Sequence, residues 1–300
     1  MDDVLTWTVR VIGGIAVLLN LSALFIFFKK PARRMGSNLM IPVVAALNIL
    51  QAVTRVLSMS VMVIHNYCVV SIASGPTRSG YAGLVASVIS YLALHSCLLI
   101  VVNSFLRKYI ILCRSNYNFL YSSPKWTLML VVLNIPVIMG WSSVIVVAMC
   151  SRRKVLKEVE AEVASISGIN LGTAAFLGFC TKPKEHWFSF VLHIEVILTR
   201  TSLLILGFYW AHQVKKKLNE SCFSQRAKIL QRRLNNMLLG QTFCLAVLLQ
   251  PRMVVIPILL YSGVTVTPAF TSFSRIMVSL FPLFSPIIII ISLSRNGSSL

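Results

Sequence analysis

A chain of 300 residues with a formal net charge of +20 is 57% hydrophobic and only 12% charged, with a mean hydropathy of +0.81. Soluble domains run at about 45–50% apolar and about 25% charged residues, so the composition excludes a soluble globular protein. The basic excess does not point to nucleic acid, because it is concentrated in short loops that would face anionic lipid headgroups.

A helix needs about 20 mostly apolar residues to cross the hydrocarbon. Seven stretches meet that length, at about 9–28, 38–64, 81–106, 126–149, 189–212, 236–260 and 271–294. Ten-residue alternation, the pattern of a membrane barrel, is absent. The expected fold is all-α: one multi-pass seven-helix bundle over residues 1–300, with a single long loop at 150–188.

Charge sets its direction. With the N-terminus outside, the inner loops and tail hold sixteen lysines and arginines and the outer loops hold seven. Six of those seven lie in the long loop, where the positive-inside bias counts less. Asp2 and Asp3 before the first span and Lys29 and Lys30 after it favour the same N-out, C-in orientation. No cleavable signal pattern opens the chain, so the first helix is expected to insert itself.

In chain order, the second span carries Arg55 and the third carries His95. The third ends in "SFLRKY", where Arg107, Lys108 and Tyr109 satisfy the ordinary rules for a membrane border. The long loop contains "SRRKVLKEVEAEVASI", in which Val155, Val159, Val163 and Ile166 recur at helical spacing, with Lys154 and Glu158 as a flanking pair. An amphipathic helix over the outer mouth is expected there. "GFCTKPKEHW" then leads to an interfacial tryptophan. The fifth span holds His193, Glu195 and Arg200. His193 and Arg200 share a face, whereas Glu195 and Arg200 are set too far around the helix to pair. Glu195 is expected to meet Arg55 or Arg252 from a neighbouring helix. Pro251 and Pro257 permit a bend in the sixth span.

Ionisable groups at membrane depth are costly and commonly face a cavity or each other. His95, Glu195, Arg200 and Arg252 are therefore the candidate ligand-binding residues. Of the eight carboxylates only Glu195 lies within a span. The others form no set for acid–base work, so no enzyme is expected. No Cys/His spacing fits a metal, and no cofactor motif is present. Seven cysteines give no framework. Cys68, Cys150 and Cys180 reach the oxidising side, where one disulfide is expected with its partners left open. Sequons at Asn20, Asn219 and Asn296 fall within a helix or inside, and read as chance matches.

"SGPTRSGYAGLVASVISYLALHSCLLIVVNSFLRKYIIL" resembles the third-helix region of nematode serpentine chemoreceptors, most nearly class delta. The matching positions are Gly75, Pro76, His95, Ser96, Ser104, Phe105, Arg107 and Tyr109. Asn20 in "LLNLSALFIFF" with Pro31 beyond it, "SQRAKILQRRLNNMLLG" with Pro251 and Pro257, and "LFPLFSPIIIIISLSR" extend the likeness along nearly the whole chain. The resemblance implies a chemosensory G-protein-coupled receptor of sensory-cell plasma membranes. Its ligand would be a small environmental molecule, and its inner surface would meet a heterotrimeric G protein. Arg107, Tyr109, Lys215, Lys216, Arg232 and Arg233 are the residues so placed.

Departures from the pattern are specific. Thr77 stands where a cysteine would follow the Gly-Pro, so the usual disulfide is in doubt. Leu106 replaces the acid of the acid-Arg-aromatic triplet of rhodopsin-like receptors. Ser285-Pro286 has no tyrosine three residues on, and only five residues follow Arg295. A small-solute transporter or channel subunit is the rival function, although paired broken helices are not evident. A bitter-taste-type receptor is the alternative within receptors.

Overall fold

The computed structural model describes residues 2–29, 40–65, 67–77, 80–117, 119–122, 124–150, 152–167, 171–172, 174–182, 187–220, 224–250, 254–264, 266 and 268–294. Pro31, Pro251, Arg252 and Asn296 fall outside them, as do the side chains of Lys154, Glu158 and Ile166.

Apolar composition places the long helices. Five are long and apolar enough to span a bilayer. They belong to α1 (Asp2–Lys29), α2 (Met40–Ser58), α3 (Gly80–Cys113), α7 (Trp187–Glu220) and α10 (Pro268–Ser294). The bundle of seven is completed by α5 (Pro124–Cys150) and by α8 (Gln225–Gln250) continued in α9 (Ile256–Tyr261). A short α4 (Phe119–Ser122) precedes α5, and α6 (Arg152–Ser167) follows it. The first turns of α8 carry the run "QRAKILQRR", which extends that helix out of the apolar layer and lowers its average hydropathy.

The bundle is a seven-transmembrane fold whose helices pack as a ring: α1 on α2 and α10, α2 on α3, α3 on α7, α7 on α5 and α8, and α8 on α10. Phe105, Trp141, Phe281 and Leu245 are fully buried between them. Phe25, Leu18, Ile205 and Phe243 are exposed on the outer faces. On a soluble protein such a belt would be an association surface; here it is the lipid-facing side of helices whose backbone groups are satisfied internally.

Prolines explain one polar contact across the ring. Pro286 has no N–H to donate to the Pro282 carbonyl one turn earlier in α10. Asn20 of α1 supplies the missing donor, its Nδ2 lying 2.8 Å from that oxygen. Asn20 Oδ1 in turn accepts from Asn48 of α2 at 3.3 Å, and Asn48 donates to Ser285 Oγ at 2.9 Å. Gln241 of α8 reaches the same hydroxyl at 3.4 Å. All four side chains are fully buried, so one hydrogen-bonded cluster ties α1, α2, α8 and α10 together.

One end of the bundle is capped. The expected second span, 38–64, is divided: the helix ends at Ser58, and Val61–His65 forms strand β1. Met59, at φ 41°, makes the left-handed turn that stops a helix. β2 (Cys68–Ile72) pairs antiparallel with β1, and β3 (Phe176–Cys180) with β2. His65 faces Cys68 in the register, so the hairpin loop has two residues, and Tyr67 at φ 64° takes the positive φ that such loops demand.

The sheet has two apolar faces. Cys68, Val70, Ile72, Phe176 and Cys180 pack under Val155, Val159 and Val163 of α6, while Val69, Ser71, Leu177 and Phe179 face the bundle. The amphipathic helix expected from the valine spacing is thus present, and it lies on a sheet. A disulfide joins Cys68 to Cys180, choosing among the partners the sequence left open; Cys150 is free.

The chain leaving the sheet for α3 closes the end of α2. Ser74 and Gly75 donate their N–H groups to the Ser58 carbonyl at 3.0 and 3.1 Å. Thr77 Oγ1 donates to the Leu57 carbonyl at 2.9 Å. The terminal carbonyls of a helix need such donors, so Thr77 serves as a cap where the resemblance led to the expectation of a cysteine. Gly75 permits the approach: a Cβ there would stand 2.3 Å from the Leu57 carbonyl oxygen.

The Gly75→Ala variant is therefore predicted to lose about 1–3 kcal/mol of stability, read as a lower thermal midpoint of the purified protein. Gly14→Ala, whose Cβ would meet nothing within 4 Å, should leave the midpoint unchanged or raise it.

Candidate ligand pocket

Between the inner face of the sheet and the helix ends lies a cavity of about 180 Å³. Its roof is Met62 of β1, Val69 and Ser71 of β2, and Leu177 and Phe179 of β3. Its walls come from α2, α3, α5, α7, α8 and α9. Arg55 enters from α2; Ser87, Ser90, Tyr91 and His95 from α3; His193 and Arg200 from α7. Most of the rest of the lining is aliphatic, including Val144 and Ile145 of α5 and Ile256 of α9.

Helical spacing aligns the polar residues. Tyr91 and His95 are one turn apart on α3, and His95 Nδ1 lies 2.6 Å from the Tyr91 carbonyl oxygen. A carbonyl only accepts, so Nδ1 carries the proton. The two rings lie 4.1 Å apart, and the His95 ring also meets Trp141 at 4.7 Å. Arg200 completes the group. Its Nη2 donates to the Tyr91 hydroxyl at 2.6 Å, and its guanidinium stands 5.3 Å from the Tyr91 ring and 6.0 Å from the Trp141 ring. A guanidinium at membrane depth costs roughly 2.5–3.5 kcal/mol on insertion scales. The hydroxyl and two π faces offset part of that.

Arg55 is held differently. Its Nε donates to Ser279 Oγ at 2.9 Å and its Nη2 to the Arg275 carbonyl at 3.4 Å, so it bridges α2 to α10 while lining the cavity. His193 shares a contact of 3.1 Å with the Tyr261 hydroxyl and stands edge-on to Phe179 at 5.3 Å.

Of the residues singled out at membrane depth, His95 and Arg200 meet in the cavity wall. Glu195 does not. Its carboxylate lies beside Gly140 of α5, where a Cβ would stand 2.8 Å from Oε1, and it accepts from Thr199 Oγ1 at 3.4 Å. The ion pair expected with Arg55 is not made: Glu195 is exposed on the flank of α7 that packs on α5. Arg252 lies outside the described residues. Sequence reasoning noted Arg55 only as a partner for Glu195, and it missed Leu177 and Phe179, which enter from a strand it did not foresee. Among the described residues no group of three His, Cys, Asp or Glu could hold a metal.

The opposite end is basic. Lys215, Lys216 and Arg232 are exposed and Arg233 is half-buried. Arg232 Nη2 donates to Asn219 Oδ1 at 2.9 Å, linking the ends of α7 and α8. Arg107 and Tyr109 are half-buried at the end of α3, where Arg114 Nε donates to the Tyr109 hydroxyl at 3.3 Å.

A double-mutant cycle on Tyr91→Phe and Arg200→Met is predicted to return a coupling of roughly 1–2 kcal/mol in thermal unfolding. Each single variant should cost more than its partner's loss adds to the double.

A search of curated proteins finds no match to the chain. A family model does: residues 6–295 match serpentine type 7TM GPCR chemoreceptor Str. The serpentine chemoreceptor resemblance is supported at that level, and the family it reaches is Str, not class delta as the third-helix residues implied. With almost the whole chain matched, a seven-helix bundle and a polar cavity under its cap, the protein belongs to the Str family of serpentine 7TM chemoreceptors.

Proposed function

We propose that the protein is a chemosensory receptor of the plasma membrane of sensory cells, taking a small environmental molecule into the capped cavity and signalling to a heterotrimeric G protein at its basic end. The cavity carries this reading, because its lining comes from helices that pack on each other along the length of the bundle. A ligand that touches α3, α7 and α9 together favours whichever packing of those helices gives it the better contacts, and it shifts the population toward that state. The sixth crossing is suited to respond. Val254 and Val255 take a widened π-type turn that leads into α9, and Pro257 lies in the first turn of that helix.

Orientation follows from two features. The basic loops gather at the end opposite the cap, as the positive-inside rule requires of a cytoplasmic face. The disulfide lies in the cap, on the side of the bundle where α1 begins, and disulfides persist in oxidising compartments. The reading is therefore N-out and C-in. At the basic end Arg107, Tyr109, Lys215, Lys216, Arg232 and Arg233 offer donors and positive charge to an acidic partner segment.

Two experiments test this. An epitope before Met1 should label on intact cells and one after Leu300 only after permeabilisation; the reverse would overturn the orientation. The Arg107→Lys variant, at matched surface level, should bind ligand normally but lose about tenfold or more in signalling, because a lysine does not reproduce the planar guanidinium fork. Lys29→Arg, at an exposed position outside that set, should change little. Equal signalling by Arg107→Lys and the parent would return Arg107 to a membrane-border anchor, and solute flux through the purified protein would favour the transporter.

A further inference from the structure

The walls of the cavity carry charge of one sign. Two guanidinium groups, Arg55 and Arg200, and two imidazoles, His95 and His193, line it, and no aspartate or glutamate is among the described lining residues. Two described carboxylates, Glu195 and Glu162, are engaged elsewhere. Glu195 sits against Gly140 on the flank of α7. Glu162 of α6 lies above the sheet, 3.5 Å from His65 Nε2. Ser71 and Ser90 add hydroxyls to the lining, while Ser87 donates its own to the Gly83 carbonyl at 2.9 Å.

Between low-dielectric walls two cations act on a ligand far more strongly than they would in water. A cationic ligand would meet like charge in a desolvated site. A neutral one would leave both charges as they are. An anion would offset part of their burial cost, and a planar carboxylate matches the guanidinium fork.

The rest of the lining sets the body of the ligand. Leu177 and Phe179 from the sheet and Val144 and Ile145 from α5 present aliphatic and aromatic surface. A cavity of about 150 Å³ holds benzene, so 180 Å³ suits one substituted ring or a short branched chain.

We propose, resting on the reading of this cavity as the ligand site, that the ligand is a small organic anion: a carboxylate, or a group of like charge and shape, on a compact apolar body. The charged group lies toward Arg55 and Arg200, and the apolar body lies against β3 and α5.

The test uses the full-length protein in lipid nanodiscs and matched sets of probes sharing one skeleton: benzoate, benzamide and benzylamine, and isovalerate, isovaleramide and isoamylamine. Binding is read by tryptophan fluorescence, and signalling in cells carrying a promiscuous G protein. The acids should bind about tenfold or more tighter than their amides and amines. Arg200→Gln and Arg55→Gln should remove that preference, whereas Arg200→Lys should keep part of it. The wild-type ranking needs no variant, so a misfolded variant leaves the test intact. Amides or amines binding as tightly as the acids would overturn the anion while leaving the cavity as the ligand site. Acids binding the Arg55→Gln/Arg200→Gln double variant as tightly as the parent would place them elsewhere and overturn both. A cell response to non-acidic odorants, with no binding of any acid, would overturn the anion and leave the receptor standing.

Discussion

The bond between Cys68 and Cys180 holds the start of β2 against the end of β3, and the cavity depends on that register. Side chains alternate across a strand, so a slip of one residue would turn every one of them over. In the observed register Leu177 and Phe179 roof the cavity while Phe176 and Cys180 pack under α6. One residue of slip would put Leu177 and Phe179 under α6 and leave Gly178 facing the ligand space. The cross-link spans 112 residues of sequence, so it binds the hairpin after α2 to the segment before α7. Those two helices supply Arg55 and Arg200.

The bundle beneath holds its polar groups by exchange between helices. Pro286 removes a donor from α10, and Asn20 of α1 replaces it. Asn48 and Gln241 then converge on Ser285. Higher up, Arg55 is tied to α10 by hydrogen bonds, and Arg200 is tied to α3 through Tyr91. Each contact joins helices distant in sequence, and each places a polar group where lipid would be expensive. A ligand placed at Arg55 and Arg200, as proposed, would act on the contacts that set α2 against α10 and α7 against α3.

Much of this was legible in the sequence. Apolar length gave the helical bundle, five of whose described helices are long and apolar enough to cross a membrane, and the valine spacing gave α6. The cost of charge in hydrocarbon drew attention to His95 and Arg200, which meet in the cavity wall. The strands were not legible. "VMVIH" continues the apolar run of α2, and only the Met59 turn and its hairpin partner β2 make it a strand. Glu195 misled for a related reason. A carboxylate at membrane depth suggests an arginine partner, but Gly140 offers it room on α5, which only the helix packing shows. Thr77 looked like a departure that removed a disulfide; the sheet makes the disulfide from Cys68 and uses Thr77 to cap α2.

The central claim is that the space under the cap is where the ligand acts. Ala148 of α5 lines that space and is buried, so Ala148→Phe would fill it. Ile205 of α7 is 63% exposed on the lipid side, so Ile205→Phe adds bulk without entering it. The decisive measurement is the ligand dose–response of both variants at matched surface level. Ala148→Phe is expected to abolish the response while Ile205→Phe retains it. An unchanged response from Ala148→Phe would contradict that role for the space under the cap.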